Sequence, residues 1–398
     1  MPGFMKKTGV LLLALFVFSC YYKPIQPLPA PFTLERVSGA DWPDLTDDGS
    51  LDDLLQAVSQ SLSYLNSLPP GKKVSWGGEE RPAGEIKGTL TRFEEVLLQE
   101  KDPDRRRSEF QRHFDLFKLD IPGREEPLLV TGYYEPTLAG RRSHSEDFPF
   151  PIYERPDDLL TVTLEKFSKR FKGERVLGRL SGREVVPYFT RKEIDSEGRL
   201  AGRGLEILWT NDRLKLFFMQ IQGSGQVVLE DGSLVKLRYQ GANGHAYFPI
   251  GRELVRRGIL RPEEVSLQAI YNYLSAHPEE QEAILNLNPS YVFFQEAQGG
   301  PYGNLNVPLT PGRSVALDQK IFPAGGLAWL ATVQPALDHG GHINYWIPLR
   351  RWVTIQDTGG AIQGPGRLDF FWGGGPEAET AAGHMRHGGS IYLLRIKG

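Results

Sequence analysis

The chain has 398 residues, with 46 Lys and Arg against 49 Asp and Glu and a formal net charge of −3. Its 40% hydrophobic and 11% aromatic content excludes an intrinsically disordered chain, and its length calls for more than one core. No long block of a single charge sign is evident, which argues against nucleic acid as a partner; 44 Gly and 29 Pro favour short strands and turns over a helical bundle.

At the N-terminus, Lys6 and Lys7 precede the apolar run Val10–Phe18, followed by Ser19 and Cys20. This is the order of a secretory signal, and nine apolar residues are too few for a permanent span. The segment resembles a bacterial lipoprotein signal, which makes Cys20 the lipidated residue and 1–19 the removed peptide. An uncleaved anchor or a plain secretory signal is the alternative. Cys20 is the only cysteine, so no internal disulfide forms, and lipidation would consume an otherwise stray thiol. By lipoprotein sorting rules, Tyr21 in place of an aspartate implies an outer-membrane lipoprotein facing the periplasm.

The proline-rich residues 20–50 read as a tether. Ser50 and Asp53 form a helix-start box ahead of Leu51, Leu54, Leu55, Val58, Leu62 and Leu65 at helical spacing. A second helix is predicted through Phe110–Leu119, then a strand over Pro127–Pro136. Phe217–Gly241 reads as strand, broken at Gln222–Gly225 by a bulge or an exposed edge, with an Asp231-Gly232 hairpin turn. Helices near Ile250–Arg257, Ser266–Ala276 and Glu279–Leu287 precede a buried strand at Ser290–Glu296. From Pro308 to Ile396, short strands split by Gly and Pro suit a small closed barrel.

Asp357 and Asp369 stand in a glycine-rich stretch beside Phe370, Phe371 and Trp372. A carboxyl whose pKa is lifted by burial or by a like charge can protonate a leaving oxygen, while Trp372 could offer an apolar face to a sugar ring. The competing interpretation makes both aspartates turn residues that cap their own loops. Tyr133, and the polar groups of Gln222 and Ser224, either line a groove for a polymer or belong to strands and bulges. Ser224 lacks the strand-to-helix elbow of a serine hydrolase. The pairs His339/His342 and His384/His387 lack metal-site framing, and the glycine loops lack a phosphate-loop lysine.

Taken in order, "TGYYEP", "PYFT", "MQIQGSG", "YQGANGHAY", "NPSYVFF", "PLTPGRSVALD" and "QDTGGAIQGPGRLDFFWGGGPEAETAAGHM" resemble the membrane-bound lytic murein transglycosylase A (MltA) family from about Leu128 to the end. The last motif looks like a 3D domain, with Asp318, Asp357 and Asp369 at its aspartate positions. The resemblance implies a mainly β fold: a double-psi β-barrel domain built from N- and C-terminal parts (51–136 and 300–398), an inserted second β-rich domain (137–299) and a groove between them. It also implies cleavage of the β-1,4 bond between N-acetylmuramic acid and N-acetylglucosamine without water, the muramic C6 hydroxyl closing onto C1. Asp369 is then the single acid/base and Asp357 its support, with Thr131, Tyr133, Gln222 and Ser224 as glycan contacts by motif position. No metal or cofactor is implied. The implied partners are peptidoglycan strands, the outer membrane through the lipid and other cell-wall enzymes. Net negative charge does not favour anionic strands, so sugar stacking and hydrogen bonds are expected to dominate. An expansin-like binding protein without catalysis and a conventional glycoside hydrolase are the alternatives.

Overall fold

The computed structural model describes residues 31–398 except Ala361. Cys20 and the signal segment 1–19 lie outside the described residues. Among those described, no helix is long and apolar enough to cross a membrane.

The chain opens with strand β1 (Thr33–Val37) and helix α1 (Leu51–Ser67). Ser50 Oγ accepts the Asp53 amide at 3.3 Å and starts α1, whose Leu54, Val58, Ser61 and Leu65 turn inward at helical spacing. A hairpin, β2 (Lys73–Trp76) and β3 (Glu79–Pro82), leads into α2 (Ala83–Gln99) and α3 (Pro103–His113). Then come β4 (Phe114–Asp120) and β5 (Leu128–Glu135). The helix expected over Phe110–Leu119 therefore stops at His113. From Phe114 the chain is a strand paired with β1 and with Tyr392–Ile396, and Phe114, Leu116, Phe117 and Leu119 bury side chains on both of its faces. Residues 33–50 are also not a free tether. β1 pairs with β4, and Asp47 forms a bidentate ion pair with the buried Arg313 at 2.7 and 2.8 Å.

The next stretch contains β6 (Thr137–Arg141), β7 (Phe150–Tyr153), β8 (Leu160–Thr163), β9 (Arg175–Ser181), β10 (Glu184–Pro187), α4 (Arg191–Asp195) and β11 (Glu206–Thr210). It continues with α5 (Arg213–Gln222), β12 (Ser224–Leu229), β13 (Leu234–Ala242), α6 (Ile250–Arg256), α7 (Leu267–Ala276), α8 (Pro278–Leu285) and β14 (Val292–Ala297). Six strands form one sheet in the order β14-β13-β12-β6-β11-β7, and β10-β9-β8 form a smaller one. The run Phe217–Gln222, expected as strand, is helix. Leu214, Leu216, Phe217, Phe218 and Met219 are all buried, so apolar content alone does not separate the two periods. Asp212 caps α5 through the Lys215 amide at 2.9 Å. Gly223, at φ +80°, ends it as a left-handed cap and not as a bulge.

The last part holds β15 (Ser314–Ala316), β16 (Leu327–Leu337), β17 (Ile343–Asp357), β18 (Arg367–Gly374), α9 (Pro376–His384) and β19 (Arg386–Ile396). Strands β19-β16-β17-β15-β18-β5 run in that order, and β5 pairs back to β19, closing a six-stranded barrel. The pairs β5–β18 and β15–β17 are parallel. Val130, Val315, Ile355, Leu368 and Phe370 point into its core. Helices α1–α3 cover it through an aromatic cluster: Phe93 lies 5.1 Å from Phe110 and 4.9 Å from Trp352. Fold class and barrel closure match the expectation from sequence.

Candidate active site

Strand β18 lies between β15 and β5, so Asp369 stands level with Ala316 on one side and Thr131 on the other. Ala316 in turn stands level with Asp357 of β17. Thr131, Asp369, Ala316 and Asp357 thus form a row across four strands and share one face. The two aspartates are two strand spacings apart, about 10 Å between Cα atoms. Their strand neighbours fill the barrel core, so the row faces outward. The lone methyl of Ala316 leaves space between the carboxyls. Beside it, Tyr133 and Phe371 pack at 5.1 Å with Leu309 and Ile362 into a small apolar wall.

The two carboxyls are bonded differently. Asp369 Oδ1 accepts the Thr131 hydroxyl at 2.8 Å. Arg367 gives its donor to Thr131 Oγ1 at 3.4 Å, not to the carboxylate. Burial pushes Asp369 up to about 6, opposed by the Thr131 bond and the Arg367 charge and aided by the charge of Asp357. Asp357 Oδ1 accepts two backbone amides, Asn304 at 2.8 Å and Thr358 at 2.9 Å. Burial lifts it too to about 6, against those amides. Asp318 accepts the Gly364 amide at 2.8 Å and so pins the loop that joins the two aspartates.

Asp357 and Tyr133 line a cleft of about 730 Å³. Its opposite wall comes from the α5–β12 junction, with Gln220, Gln222 and Ser224, and from β13, with Arg238 and Tyr239. The helical end at Gly223 therefore carries Gln222 and Ser224 to the cleft. Gln222 Oε1 accepts the Tyr134 amide at 3.3 Å, and Ser224 is almost fully buried. The buried Tyr133 hydroxyl faces the Asp357 carboxylate; burial and the two carboxylates hold it a neutral phenol. Gln220, whose amide oxygen is also buried, was missed from sequence, as was the Asn304 amide. A polar residue within an otherwise apolar run was the available signal for Gln220.

Trp372 is not brought to this cleft. It lies on the opposite face of β18, 5.0 Å from Phe370, with its indole N–H toward Met385 Sδ at 3.3 Å. Period-two alternation turns it away from Asp369, and it lines a separate cavity of about 840 Å³ beside α9. A sugar-stacking role next to the aspartates is corrected accordingly.

Comparison with known proteins matches residues 129–295 to the MltA specific insert domain and residues 313–395 to the 3D domain. The chain is 35% identical over 268 residues to membrane-bound lytic murein transglycosylase A of Escherichia coli K12, covering 67% of this chain and 65% of that protein. It is 34% identical over 273 residues to the Vibrio cholerae protein of that name, covering 68% and 66%. The match thus spans just under two thirds of these curated relatives. A membrane-bound lytic murein transglycosylase from Agrobacterium tumefaciens superposes with a TM-score of 0.76 at 32% identity, over 92% of this chain and 98% of that one. Escherichia coli MltA solved with bound chitohexaose superposes at 0.68 and 27% identity, over 92% and 95%. The two domain matches in this order, on this barrel and insert, place the chain in the membrane-bound lytic murein transglycosylase A (MltA) family.

Proposed function

We propose that the chain is a lytic murein transglycosylase that cleaves between N-acetylmuramic acid and N-acetylglucosamine and leaves a 1,6-anhydromuramoyl end. The observation that carries this reading is the unequal bonding of the two carboxyls. A hydroxyl can donate to a carboxylate or accept from a carboxylic acid, so Thr131 serves Asp369 in both protonation states. The two amides on Asp357 can only donate, and together with the Tyr133 hydroxyl they favour its anion. Asp369 is therefore the group suited to exchange a proton with the substrate, and Asp357 the group that orders the loop. Asp369 gives its proton to the glycosidic oxygen as the C1–O bond breaks. The muramic C6 hydroxyl then bonds C1 and returns its proton to Asp369, so no water is consumed. The tethered hydroxyl replaces a second protein nucleophile, since intramolecular attack reaches effective molarities on the order of 10⁵ M or more.

A conventional glycosidase needs two carboxyls flanking the bond. Asp357 and Asp369 share one barrel face, with Asp357 at the cleft and Asp369 two strands away from it, and no carboxylate from the opposite wall lines the cleft. The chitohexaose bound by the Escherichia coli relative supports a glycan ligand. Mass analysis of a murein digest tests the reading: wild type releases anhydro ends, lighter by one water, and Asp369→Asn does not. Release by Asp369→Asn at the wild-type rate would refute the assignment. By the family's membrane-bound character and the Cys20 motif, the protein is anchored by lipid to the outer membrane, facing the periplasm. Fatty-acid labelling that is lost in Cys20→Ser checks this.

A further inference from the structure

The net negative charge of the chain conceals a cationic loop at the cleft. Between β8 and β9 the chain makes two short 3-10 turns, Leu164–Lys166 and Lys169–Phe171. Its neck is closed by the Thr163–Arg175 pairing and by a Leu164 amide to Glu174 carbonyl bond of 3.0 Å. Lys166, Lys169, Arg170, Lys172 and Arg175 are all exposed on it, opposed in sequence by Glu165 and Glu174 alone. Phe167 stands among them, 76% exposed. Arg175, at the neck, is part of the wall of the cleft beside Tyr239.

A backbone of N-acetylated sugars is uncharged, so neither sugar binding nor the proposed reaction calls for this charge. The negative groups of a murein strand are the carboxylates of the peptide stems attached to muramic acid. We propose that this loop, with Arg175, receives those carboxylates and makes the protein prefer stem-bearing strands over bare glycan. The proposal rests on the lytic transglycosylase reading of the cleft and adds a substrate preference to it. An anionic lipid surface is the rival occupant of a basic loop with an exposed aromatic ring; continuity with the cleft through Arg175 favours the substrate.

The test compares murein strands with the same strands after an amidase has removed the stems and left one lactyl carboxylate on each muramic acid, using the full-length protein. The wild type has the lower KM on stem-bearing strands, and the difference closes above about 0.3 M salt as charges are screened. Lys169→Glu/Lys172→Glu raises KM on stem-bearing strands roughly fivefold, with kcat retained and a smaller rise on amidase-treated strands, whose single lactyl carboxylates lie close against the sugars. Lys169→Arg/Lys172→Arg keeps the wild-type preference. Equal losses on both substrates, or none on either, overturn the proposal. So does loss of binding to phosphatidylglycerol vesicles without any change in stem preference. Sedimentation of an Asp369→Asn protein with the two strand types separates this claim from the reaction assignment. Charge-dependent binding of stems persists there even if the wild type forms no anhydro product, and its absence refutes the loop's role alone.

Discussion

Thr131 and Asp369 share a hydrogen bond whose direction can reverse with the proton, and this sets the pH behaviour of the site. In the proposed role Asp369 must be protonated to act, so activity is expected to decline as pH rises through about 6, the value to which burial lifts it. Two substitutions move that limb in opposite directions. Asp357→Asn removes a neighbouring negative charge that raises the Asp369 pKa, so the decline begins at lower pH. Thr131→Val removes a donor that favours the carboxylate, so the decline begins at higher pH, with a lower kcat. Rates of murein solubilisation between pH 4 and 8 check both signs. Burial has a second consequence. In the folded chain Asp357 and Asp369 titrate at about 6, against 3.8 ordinarily. The folded protein then holds more protons than the unfolded one between those values, so the stability contribution of the pair is intact below 3.8 and is lost as pH rises through 6. Asp369→Asn should therefore be more stable than wild type at pH 8, by about 1 kcal/mol once solvent screening is allowed for, and no more stable at pH 3.5. Thermal melts at the two pH values measure the difference.

At the scale of elements, the aspartate row depends on strands that are held from behind. Gln356, fully buried next to Asp357, donates to Ala57 O at 2.8 Å and Ser61 Oγ at 3.0 Å on α1, and accepts Ser314 Oγ at 2.6 Å from β15. Arg313, at 1% exposure, is neutralised by Asp47 and also donates to Ser50 O at 2.7 Å. Removing one member of a buried pair strands the other charge, so Asp47→Ala should cost about 3–5 kcal/mol, measured by denaturant unfolding. Asp47 lies in the segment read as a tether, where prolines hide a strand and an ion pair whose partner is 266 residues away. That partner is invisible to local patterning. The start of α1 was legible because Ser50 is a capping residue. The end of α3 was not, because Phe110–Leu119 keeps its apolar content from helix into strand, and β4 buries side chains on both faces. Likewise α5 is apolar nearly all round, and only its caps, Asp212 and Gly223, betray a helix. Gly132 shows the same limit at the site. A Cβ there would meet Trp372 Nε1 at 2.7 Å and Ala382 Cα at 2.8 Å, so this glycine lets α9 lie against β5 between Thr131 and Tyr133. The motif contains it without saying what it faces.

At the scale of the whole molecule, the cleft exists because one chain leaves the barrel after β5 and returns before β15. Side-chain contacts tie the walls, among them Lys236 to the buried Glu135 at 2.7 Å and Arg238 Nη1 to Asn306 Oδ1 at 2.9 Å. Asp357 and Asp369 were legible as a pair through their glycine-rich motif. Their alignment through Ala316 was not, because the order of β17, β15 and β18 is a property of barrel closure and not of spacing along the chain. Nor was the placement of Trp372, which requires knowing which face of β18 looks outward. The proposed reaction needs one carboxylic acid on the outer face of a barrel and a sugar that supplies its own nucleophile. Digestion of murein in ¹⁸O-labelled water tests this most directly. The account predicts anhydro ends that carry no label, because solvent never enters the reaction. Reducing muramic ends with ¹⁸O at C1 would mean that water is the nucleophile and would contradict it.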